Sequence, residues 1–368
     1  MRISRITAWA AHIPLKKPYF LAGGTQRFES LDSTLIRIDT DEDVSGWGES
    51  CPWGNTYLPA HGPGVRAALE TIAPALIGAD PRSPEEINRI MDAALPGHPY
   101  AKSGLDTACW DILGKVAGLP LWQLFGGAEA APVEVMGSVS FGDATAMIAE
   151  LEANGAAGRR THSVKLGARE PAEDIARIEA IDAALPPGER ITWDVNCAWT
   201  PATAVQVLNA TSTAHWVEQP CATLRQCAHV AARIRNPVML DECLHSFDDH
   251  LDAWSTRACE GAKVKPNRVG GLTRARQIRD FGVSVGWRMH IEDLGGCGLA
   301  DMAAVHLASS TPDAHRLASW VGDELIAEDY CDGTGARSEN GWTTPSSAPG
   351  HGVELNVERL GDAVAVFH

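Results

Sequence analysis

The sequence predicts an α/β protein built as a (β/α)8-type, TIM-like barrel with an α+β capping domain. Three observations support this. Residues 1–125 contain alternating strand-like segments followed by helical ones, and residues 126–325 alternate short apolar runs with helical stretches. Residues 326–368 are rich in loops, and we expect them to return to the capping domain. At 368 residues the chain is long enough for one large core and one smaller core.

The first 50 residues predict antiparallel strands. The segments MRISRITAWAAHIPL and STLIRIDTDEDVSGWGES have strand periodicity, and the acidic residues from Asp39 to Asp43 suit a hairpin turn. We interpret KPYFLAGGTQRFESLD and CPWGNTYLPAHGPG as loops because they contain Gly and Pro. Helices are expected in VRAALETIAPALIG, SPEEINRIMDAAL and SGLDTACWDILGKVAG, the second opened by a capping box of Ser83 and Glu86.

The middle of the chain repeats a strand-plus-helix unit. Eight apolar runs end near Ser138, Lys165, Asp194, Glu218, Asp241, Lys265, His290 and Trp320. Successive ends lie 23 to 30 residues apart, and stretches such as DATAMIAELEANG between them are typical of helices. A doubly wound sheet is the alternative, but eight regular units favour a closed barrel.

The composition limits the partners and the location. There are 31 Lys and Arg against 47 Asp and Glu, a net charge of −16, which argues against a nucleic acid or an anionic membrane as partner. No apolar stretch is long enough for a transmembrane helix, and the N-terminus lacks the apolar core of a signal peptide. We therefore expect a cytoplasmic protein. The nine cysteines show no metal-binding spacing, so we expect reduced, buried thiols rather than disulfides or a zinc site.

Three consecutive barrel strands end in a carboxylate: Asp194, Glu218 and Asp241. Any one of them could be a helix cap or a solvated turn residue, but the ends of barrel strands meet around one mouth. Three clustered anions repel one another, and a hard divalent cation removes that conflict. Oxygen ligation favours Mg²⁺, one ion per subunit. We expect Glu242 on the opposite face of its strand and Asn196 beside the ligands.

The flanking strands both end in lysine, so Lys165 and Lys265 are expected to face each other across the mouth. A partly desolvated lysine near a cation has a depressed pKa and can act as a base near neutral pH. Lys263 lies one pleat deeper and is expected to be a structural partner. A metal with two opposed bases predicts removal of the proton next to a substrate carboxylate. Reprotonation would give racemisation, and loss of a β-leaving group would give dehydration.

The chain resembles the muconate-lactonizing subgroup of the enolase superfamily along essentially its full length. The matching motifs are LDTACWDILGKVAGLPLWQLFGG (105–127), WDVN (193–196), VEQPC (217–221), LDE (240–242) and VKPNRVGG (264–271). The resemblance implies a capping module built from both termini, an amino-acid substrate and a homo-oligomer. The chain is similar to the cis-3-hydroxy-L-proline dehydratases and the 4-hydroxyproline betaine 2-epimerases. PYFLAGG, CPWGNTYLPAHGPG and KPNRVGGLTRARQIRDFGVSVGW favour the dehydratases.

This resemblance implies that one lysine removes the α-proton of cis-3-hydroxy-L-proline while the other assists loss of the 3-hydroxyl. The product would be Δ1-pyrroline-2-carboxylate. Epimerisation of proline betaine or of 4-hydroxyproline betaine is the alternative, since it uses the same two bases without a leaving group.

The chain departs from the subgroup pattern at two positions. Ser163 stands where the subgroup carries a lysine two residues before Lys165, so Ser163 must serve the site differently. The eighth strand reads LASWVGD instead of carrying an acidic pair, and Trp320 there suits cation–π contact with a cyclic ammonium. Relatives of mandelate racemase pair a histidine with a sixth-strand aspartate. Here the partner position of His290 is Lys265, so we interpret His290 as structural.

Further substrate contacts are predicted from the capping loops. Phe20, Trp53 and Tyr57 are candidates to close over the substrate ring, or alternatively to pack the cap onto the barrel. Asp293 either pairs with the substrate ammonium or starts a helix. Ser163 and Asn196 complete the predicted substrate-binding set.

Overall fold

The N-terminal region forms a four-stranded antiparallel sheet in the computed structural model, which describes residues 1–293 and 295–368. Its strands are β1 (Ile3–Leu21), β2 (Gln26–Thr40), β3 (Ser45–Ser50) and β13 (Ala365–Phe367). Ile6 of β1 pairs with Phe367 of β13, so the C-terminal tail lies against the N-terminal strand. The domain boundaries at 125 and 325 stay a prediction.

The hairpin of β1 and β2 is longer than the sequence predicted, and the interpretation of KPYFLAGGTQRFESLD as a loop is wrong. Pairing continues to Leu21 opposite Gln26, across an irregularity between Pro14 and Tyr19, and only residues 22–25 form the turn. Because side chains alternate along a strand, Tyr19 and Leu21 point to one face and Phe20 to the other.

Four helices follow the first three strands; the first three helices lie close to the predicted positions, and the short fourth was not predicted. They are α1 (Gly62–Leu76), α2 (Pro84–Ala94), α3 (Pro99–Ala117) and α4 (Leu121–Leu124). Helix α3 packs closely on β3, where a Cβ on Gly48 would lie only 1.8 Å from the carbonyl oxygen of Gly104. The predicted capping box is wrong: Ser83 makes no side-chain capping bond, and Glu86 instead pairs with Arg89.

The barrel strands form a parallel sheet of seven strands in the order β11-β10-β9-β8-β7-β6-β5. These strands are β5 (Gly137–Val139), β6 (Thr161–Lys165), β7 (Arg190–Asp194), β8 (Trp216–Glu218), β9 (Val238–Leu240), β10 (Gly261–Val264) and β11 (Arg288–Ile291). The helices around them are α5 (Ala144–Ala156), α6 (Pro171–Ala184), α7 (Pro201–Ala210), α8 (Leu224–Ala231), α9 (Phe247–Ser255), α10 (Pro266–Val269), α11 (Leu272–Ser284) and α12 (Gly298–Ser309). A short antiparallel pair, β4 (Val133–Glu134) and β12 (Trp342–Thr343), completes the elements.

The eighth barrel position is occupied by single bridges rather than by a continuous strand. Ser319 bridges Val135 in parallel on one side, and Arg316 bridges Met289 in parallel on the other. This segment therefore joins both edges of the curled sheet, which confirms the predicted (β/α)8-type barrel with an α+β cap.

Two further expectations concern the whole chain. In the described part of the chain, no helix is both long and apolar enough to span a bilayer. All nine cysteines are free thiols, most of them buried.

Candidate active site

A cavity lies between the cap hairpin and the carboxyl ends of the barrel strands. Ten of the twelve residues predicted for the site line it: Trp53, Tyr57, Ser163, Lys165, Asp194, Glu218, Asp241, Lys265, Asp293 and Trp320. The remaining lining residues are Tyr19, Leu21, Met136, Ser138, Lys263 and Glu292.

The strand register brings the charged groups together. Lys165, Asp194 and Glu218 are direct neighbours across β6, β7 and β8. Asp241 and Lys265 follow the last residues of β9 and β10, so they extend the same row around the mouth. Adjacent parallel strands lie about 4.8 Å apart, which forces these side chains into contact range.

Two of the three carboxylates are held by cations of the protein. Asp194 accepts hydrogen bonds from Lys165 and from Oγ of Ser163, the latter over 3.3 Å. Asp241 accepts one from Nζ of Lys265 over 2.9 Å and one from Arg268. Burial opposes ionisation, but the adjacent cations outweigh it, so the pKa of Asp194 and the pKa of Asp241 are both lowered.

Glu218 is different, because neither of its carboxylate oxygens has a hydrogen-bond partner among the described residues. Nζ of Lys263 lies 3.1 Å from Oε2 but does not form a hydrogen bond. Burial, together with the charge of Asp194, raises the pKa of Glu218 well above its usual range. A buried carboxylate that lacks hydrogen bonds is costly, and the single ammonium of Lys263 does not offset that cost here.

This arrangement fits a hard divalent cation. Asp194, Glu218 and Asp241 offer only oxygen donors, and neither carboxylate oxygen of Glu218 accepts a hydrogen bond within the described part of the chain. Such a donor set is the type that Mg²⁺ prefers. These three residues would hold the ion.

The two predicted catalytic lysines are buried at the cavity and ion-paired to these carboxylates. Burial alone would lower the pKa of Lys165, but the carboxylate of Asp194 outweighs it and the pKa is raised. The protein groups around Lys165 therefore raise its pKa, whereas the sequence predicts a lowered pKa beside a bound cation.

Two charged residues at or behind the cavity were not identified from the sequence. Glu292 lines the cavity, with Oε1 2.9 Å from Nζ of Lys263. Its backbone follows the end of β11 as Asp241 follows β9, so extending the predicted seventh strand by two residues beyond His290 reaches it. Arg268 is fully buried behind Asp241, and its Nε and Nη1 have no hydrogen-bond partner in the described residues. Its place in the motif VKPNRVGG was the available sign.

Part of the cavity wall is aromatic, formed by Tyr19, Trp53 and Trp320. The ring of Trp53 makes edge contacts with Tyr19 at 5.5 Å and with Trp320 at 6.0 Å between centroids. Nε1 of Trp320 donates a hydrogen bond to Oγ of Ser138 over 2.9 Å, which fixes the indole at the cavity edge. Asp293 lies in the same cavity and accepts from Nδ2 of Asn267 over 2.9 Å.

Two predicted substrate contacts do not line the cavity. Phe20 faces away from it because the strand alternation places Tyr19 there instead. Asn196 turns its Nδ2 toward Oε1 of Glu242, over 2.9 Å. Its backbone N–H donates to Asp194 over 3.1 Å, so it supports a carboxylate from behind the cavity.

Tyr57 contacts the carboxylates rather than open space. Its hydroxyl donates to Oε1 of Glu242 over 3.0 Å and lies 3.4 Å from Oδ2 of Asp241. Burial and the charge of Asp241 raise the pKa of Glu242 to about 7. His290 is buried with Nδ1 against the carbonyl oxygen of Ala318, and it does not line this cavity.

Two protein-family models match this chain. The family model described as mandelate racemase / muconate lactonizing enzyme, N-terminal domain, matches residues 5–126. The model described as enolase C-terminal domain-like matches residues 146–360.

Individual relatives cover most or all of the chain. A cis-3-hydroxy-L-proline dehydratase of Roseibium aggregatum is 36% identical over 100% of both chains. An N-succinyl-L-Arg/Lys racemase of Bacillus cereus is 28% identical, over 84% of this chain and 85% of its own. A crystal structure of an enolase-superfamily member from Roseovarius nubinhibens ISM, complexed with magnesium, has a TM-score of 0.97. It is 62% identical and covers 100% of this chain and 99% of its own.

Proposed function

The chain belongs to the enolase superfamily, and from that premise we propose that it dehydrates cis-3-hydroxy-L-proline to Δ1-pyrroline-2-carboxylate. The observation that carries the proposal is the pair of buried lysines, Lys165 and Lys265, beside the three carboxylates in one cavity. The full-length likeness to a cis-3-hydroxy-L-proline dehydratase supports the choice of substrate.

Members of this superfamily bind Mg²⁺ and pair it with a lysine or histidine base. We propose one ion per subunit, held by Asp194, Glu218 and Asp241. When bound, Mg²⁺ would hold the substrate carboxylate and stabilise the negative charge that develops there as the α-proton leaves.

The stereochemistry of the substrate matches two opposed lysines. In cis-3-hydroxy-L-proline the hydroxyl and the carboxylate share one face of the ring, so the α-proton lies on the other. One lysine, as the free amine, takes the α-proton, and the other, as the ammonium, gives a proton to the departing hydroxyl. The C–H and C–O bonds break, a C=C bond forms and water leaves. The enamine product then tautomerises to the imine.

The rest of the cavity suits a ring that carries an ammonium group. Asp293 supplies a carboxylate and Trp320 an indole face for that cation. Tyr19 and Trp53 close the cavity from the cap, which keeps water away from the reacting carbon. Ser163, where related chains have a second lysine, donates to Asp194.

A 2-epimerase acting on proline betaine or 4-hydroxyproline betaine is the alternative function. It would use the same two lysines without a leaving group, and the likeness to a racemase keeps this alternative open. We also propose a cytoplasmic location and a homo-oligomer.

The deciding experiment is proton NMR of the purified protein with Mg²⁺ and cis-3-hydroxy-L-proline in D₂O. We expect loss of the substrate signals and growth of pyrroline-carboxylate signals, with an imine that reacts with o-aminobenzaldehyde. Intact substrate would contradict the dehydratase. Loss of the α-proton signal from proline betaine, without elimination, would then establish the epimerase.

A further inference from the structure

A second group of potential metal ligands lies outside the active site. The sulfur atoms of Cys297 and Cys331 and a carboxylate oxygen of Asp329 all lie within 4.8 Å of one another. We refer to Cys297, Asp329 and Cys331 as the thiol cluster. Both cysteines are fully buried, and Asp329 is half-buried.

The backbone holds these three residues together. Cys297 is the N-cap residue of α12, and Asp329 and Cys331 lie in the C-terminal segment. Oδ1 of Asp329 accepts hydrogen bonds from the backbone N–H of Cys331 over 3.1 Å and from that of Gly298 over 3.4 Å. The two segments touch so closely that a Cβ on Gly298 would lie 2.8 Å from Cα of Gly335. The donors are therefore positioned by the fold and not by flexible side chains alone.

A carboxylate of the cap adjoins the cluster. Oε2 of Glu49, in β3, lies 3.1 Å from Sγ of Cys297, and Oε1 accepts from the backbone N–H of Cys297 over 2.8 Å. Glu49 is also bonded to Oγ of Ser33 over 2.6 Å and to the N–H of Ala300 over 3.1 Å. It can thus supply a further oxygen donor from a third part of the chain.

We propose that the thiol cluster binds a thiophilic divalent cation of the Zn²⁺ type, separate from the all-oxygen carboxylate site. Two cysteine sulfurs with carboxylate oxygen are donors that Zn²⁺ accepts, whereas Mg²⁺ prefers oxygen alone. On binding, each thiol loses its proton to solvent and forms a metal–sulfur bond. Two protons are exchanged for one divalent cation, so the net charge of the buried cluster does not change.

Both sulfur atoms are buried. An uncompensated thiolate is costly in a buried site, and a cation bound to both sulfurs would remove that cost. The expectation of no zinc site rested on local spacing, and Cys331 lies 34 positions after Cys297, so only the fold reveals the cluster.

The bound cation would join three parts of the fold. It would link α12 of the barrel to the C-terminal segment and, through Glu49, to the capping sheet. A ligand that binds only the folded chain stabilises it by mass action. We therefore assign the site a structural role, and its test does not depend on the proposed dehydration.

Cobalt substitution tests the proposal, because Co²⁺ bound to thiolate has an intense charge-transfer absorption that Co²⁺ bound only to oxygen lacks. We titrate the reduced, Mg²⁺-saturated full chain with Co²⁺ and expect this absorption to saturate at one ion per chain. The variants Cys297→Ser and Cys331→Ser should lose it. The control Cys259→Ser, a buried thiol outside the cluster, should keep it.

A second measurement applies even if the serine variants fail to fold. X-ray absorption of the zinc-loaded wild-type chain should show sulfur neighbours at about 2.3 Å. Absence of sulfur neighbours overturns the proposal, as does a charge-transfer band that persists in both cluster variants. The isolated chain could instead contain a disulfide between Cys297 and Cys331, which mass spectrometry would show as a loss of two hydrogen atoms. If that chain does not bind zinc after reduction, the proposal is also overturned.

Discussion

The carboxylate of Glu292 accepts a hydrogen bond from the backbone N–H of Trp320, with 3.2 Å between Oε2 and the nitrogen. Its other oxygen lies 2.9 Å from Nζ of Lys263 and 3.8 Å from Nζ of Lys265. One buried carboxylate therefore links a proposed catalytic lysine to the aromatic wall of the cavity. The two adjacent lysines lower the pKa of Glu292 despite the burial that opposes ionisation.

Replacing Glu292 by glutamine should reduce catalysis more than substrate binding. The amide keeps the shape but removes the charge that positions Lys265, and small displacements of reacting groups cost about 100-fold in rate. We expect kcat for cis-3-hydroxy-L-proline to fall by about that factor with little change in KM. Steady-state kinetics measure this, with Glu339→Gln at an exposed site as the control. An unchanged kcat would contradict the positioning role.

The variants Lys165→Ala and Lys265→Ala should each lose about 100-fold or more in turnover, the usual contribution of a general acid or base. Their residual chemistry should differ. The variant that keeps the lysine acting as the base should still exchange the substrate α-proton for deuterium in D₂O without elimination. The variant that lacks this lysine should not exchange it.

Proton NMR distinguishes these two outcomes. Lys17→Ala is the matched control, because that lysine is 63% exposed and pairs with Glu150 away from the carboxylates. Near-wild-type turnover in either active-site variant would show that the two-lysine scheme is wrong.

Replacing Glu218 by glutamine should have opposite effects on the Tm with and without Mg²⁺. Burial and the charge of Asp194 raise the pKa of Glu218 despite the nearby Lys263, so the metal-free site disfavours the ionised carboxylate and should accept a neutral amide. In EDTA we expect the Tm of this variant to equal or exceed that of the wild type. In Mg²⁺ it should fall below, because the wild type gains binding free energy that the variant lacks.

Thermal unfolding with and without Mg²⁺ measures the difference. The wild type should lose its activity in EDTA and regain it when Mg²⁺ is added. The variant should not gain activity on addition of Mg²⁺. A wild-type Tm that does not respond to Mg²⁺ would count against Glu218 as a ligand.

Much of the site could be predicted because barrel geometry converts sequence spacing into position. Strand ends at regular intervals must meet at one mouth, so Lys165, Asp194 and Glu218 were found without a structure. Their neighbours Asp241 and Lys265 followed from the same repeat. The structure places all five side chains around one cavity, and their catalytic and metal-binding roles stay a prediction.

The rest depended on details that strand periodicity does not encode. The length of the β1–β2 hairpin depends on pairing between strands, so the Gly-containing stretch is strand where a loop is predicted, and Tyr19 rather than the predicted Phe20 lines the cavity. Glu292 was overlooked because the predicted seventh strand stopped at His290, one pleat too early. The thiol cluster joins residues far apart in sequence, which no local spacing can reveal.

Stability should depend on pH through Asp106, a buried carboxyl of α3. Burial raises its pKa to about 6, although Oδ1 and Oδ2 accept hydrogen bonds from Thr273 in α11. Because the Asp106 carboxyl binds its proton more tightly in the folded state than in the unfolded state, Asp106 contributes most to the free energy of unfolding below about pH 4. That contribution, about 3 kcal/mol from the pKa difference, is lost as the pH rises through about 6.

Denaturant unfolding of the wild type and of Asp106→Asn, each at pH 4 and at pH 7, tests the sign of this pH dependence. The variant should be more destabilised relative to the wild type at pH 4 than at pH 7, since the asparagine cannot titrate. Asp313→Asn, at a side chain 89% exposed, is the control. An equal difference at both pH values would show that Asp106 does not titrate in this range.

The neighbouring residues Tyr19 and Phe20 offer a matched test of the cavity wall. Tyr19 packs on Trp53 at 5.5 Å and lines the cavity, while Phe20 is half-buried on the opposite face of the same strand. An aromatic pair is worth about 1 kcal/mol beyond its buried area, so Tyr19→Leu should lower kcat/KM for the substrate by about 5- to 10-fold. Phe20→Leu should leave kcat/KM unchanged. If Phe20→Leu has the larger effect, the hairpin does not place Tyr19 over the substrate, and the aromatic wall must be assigned differently.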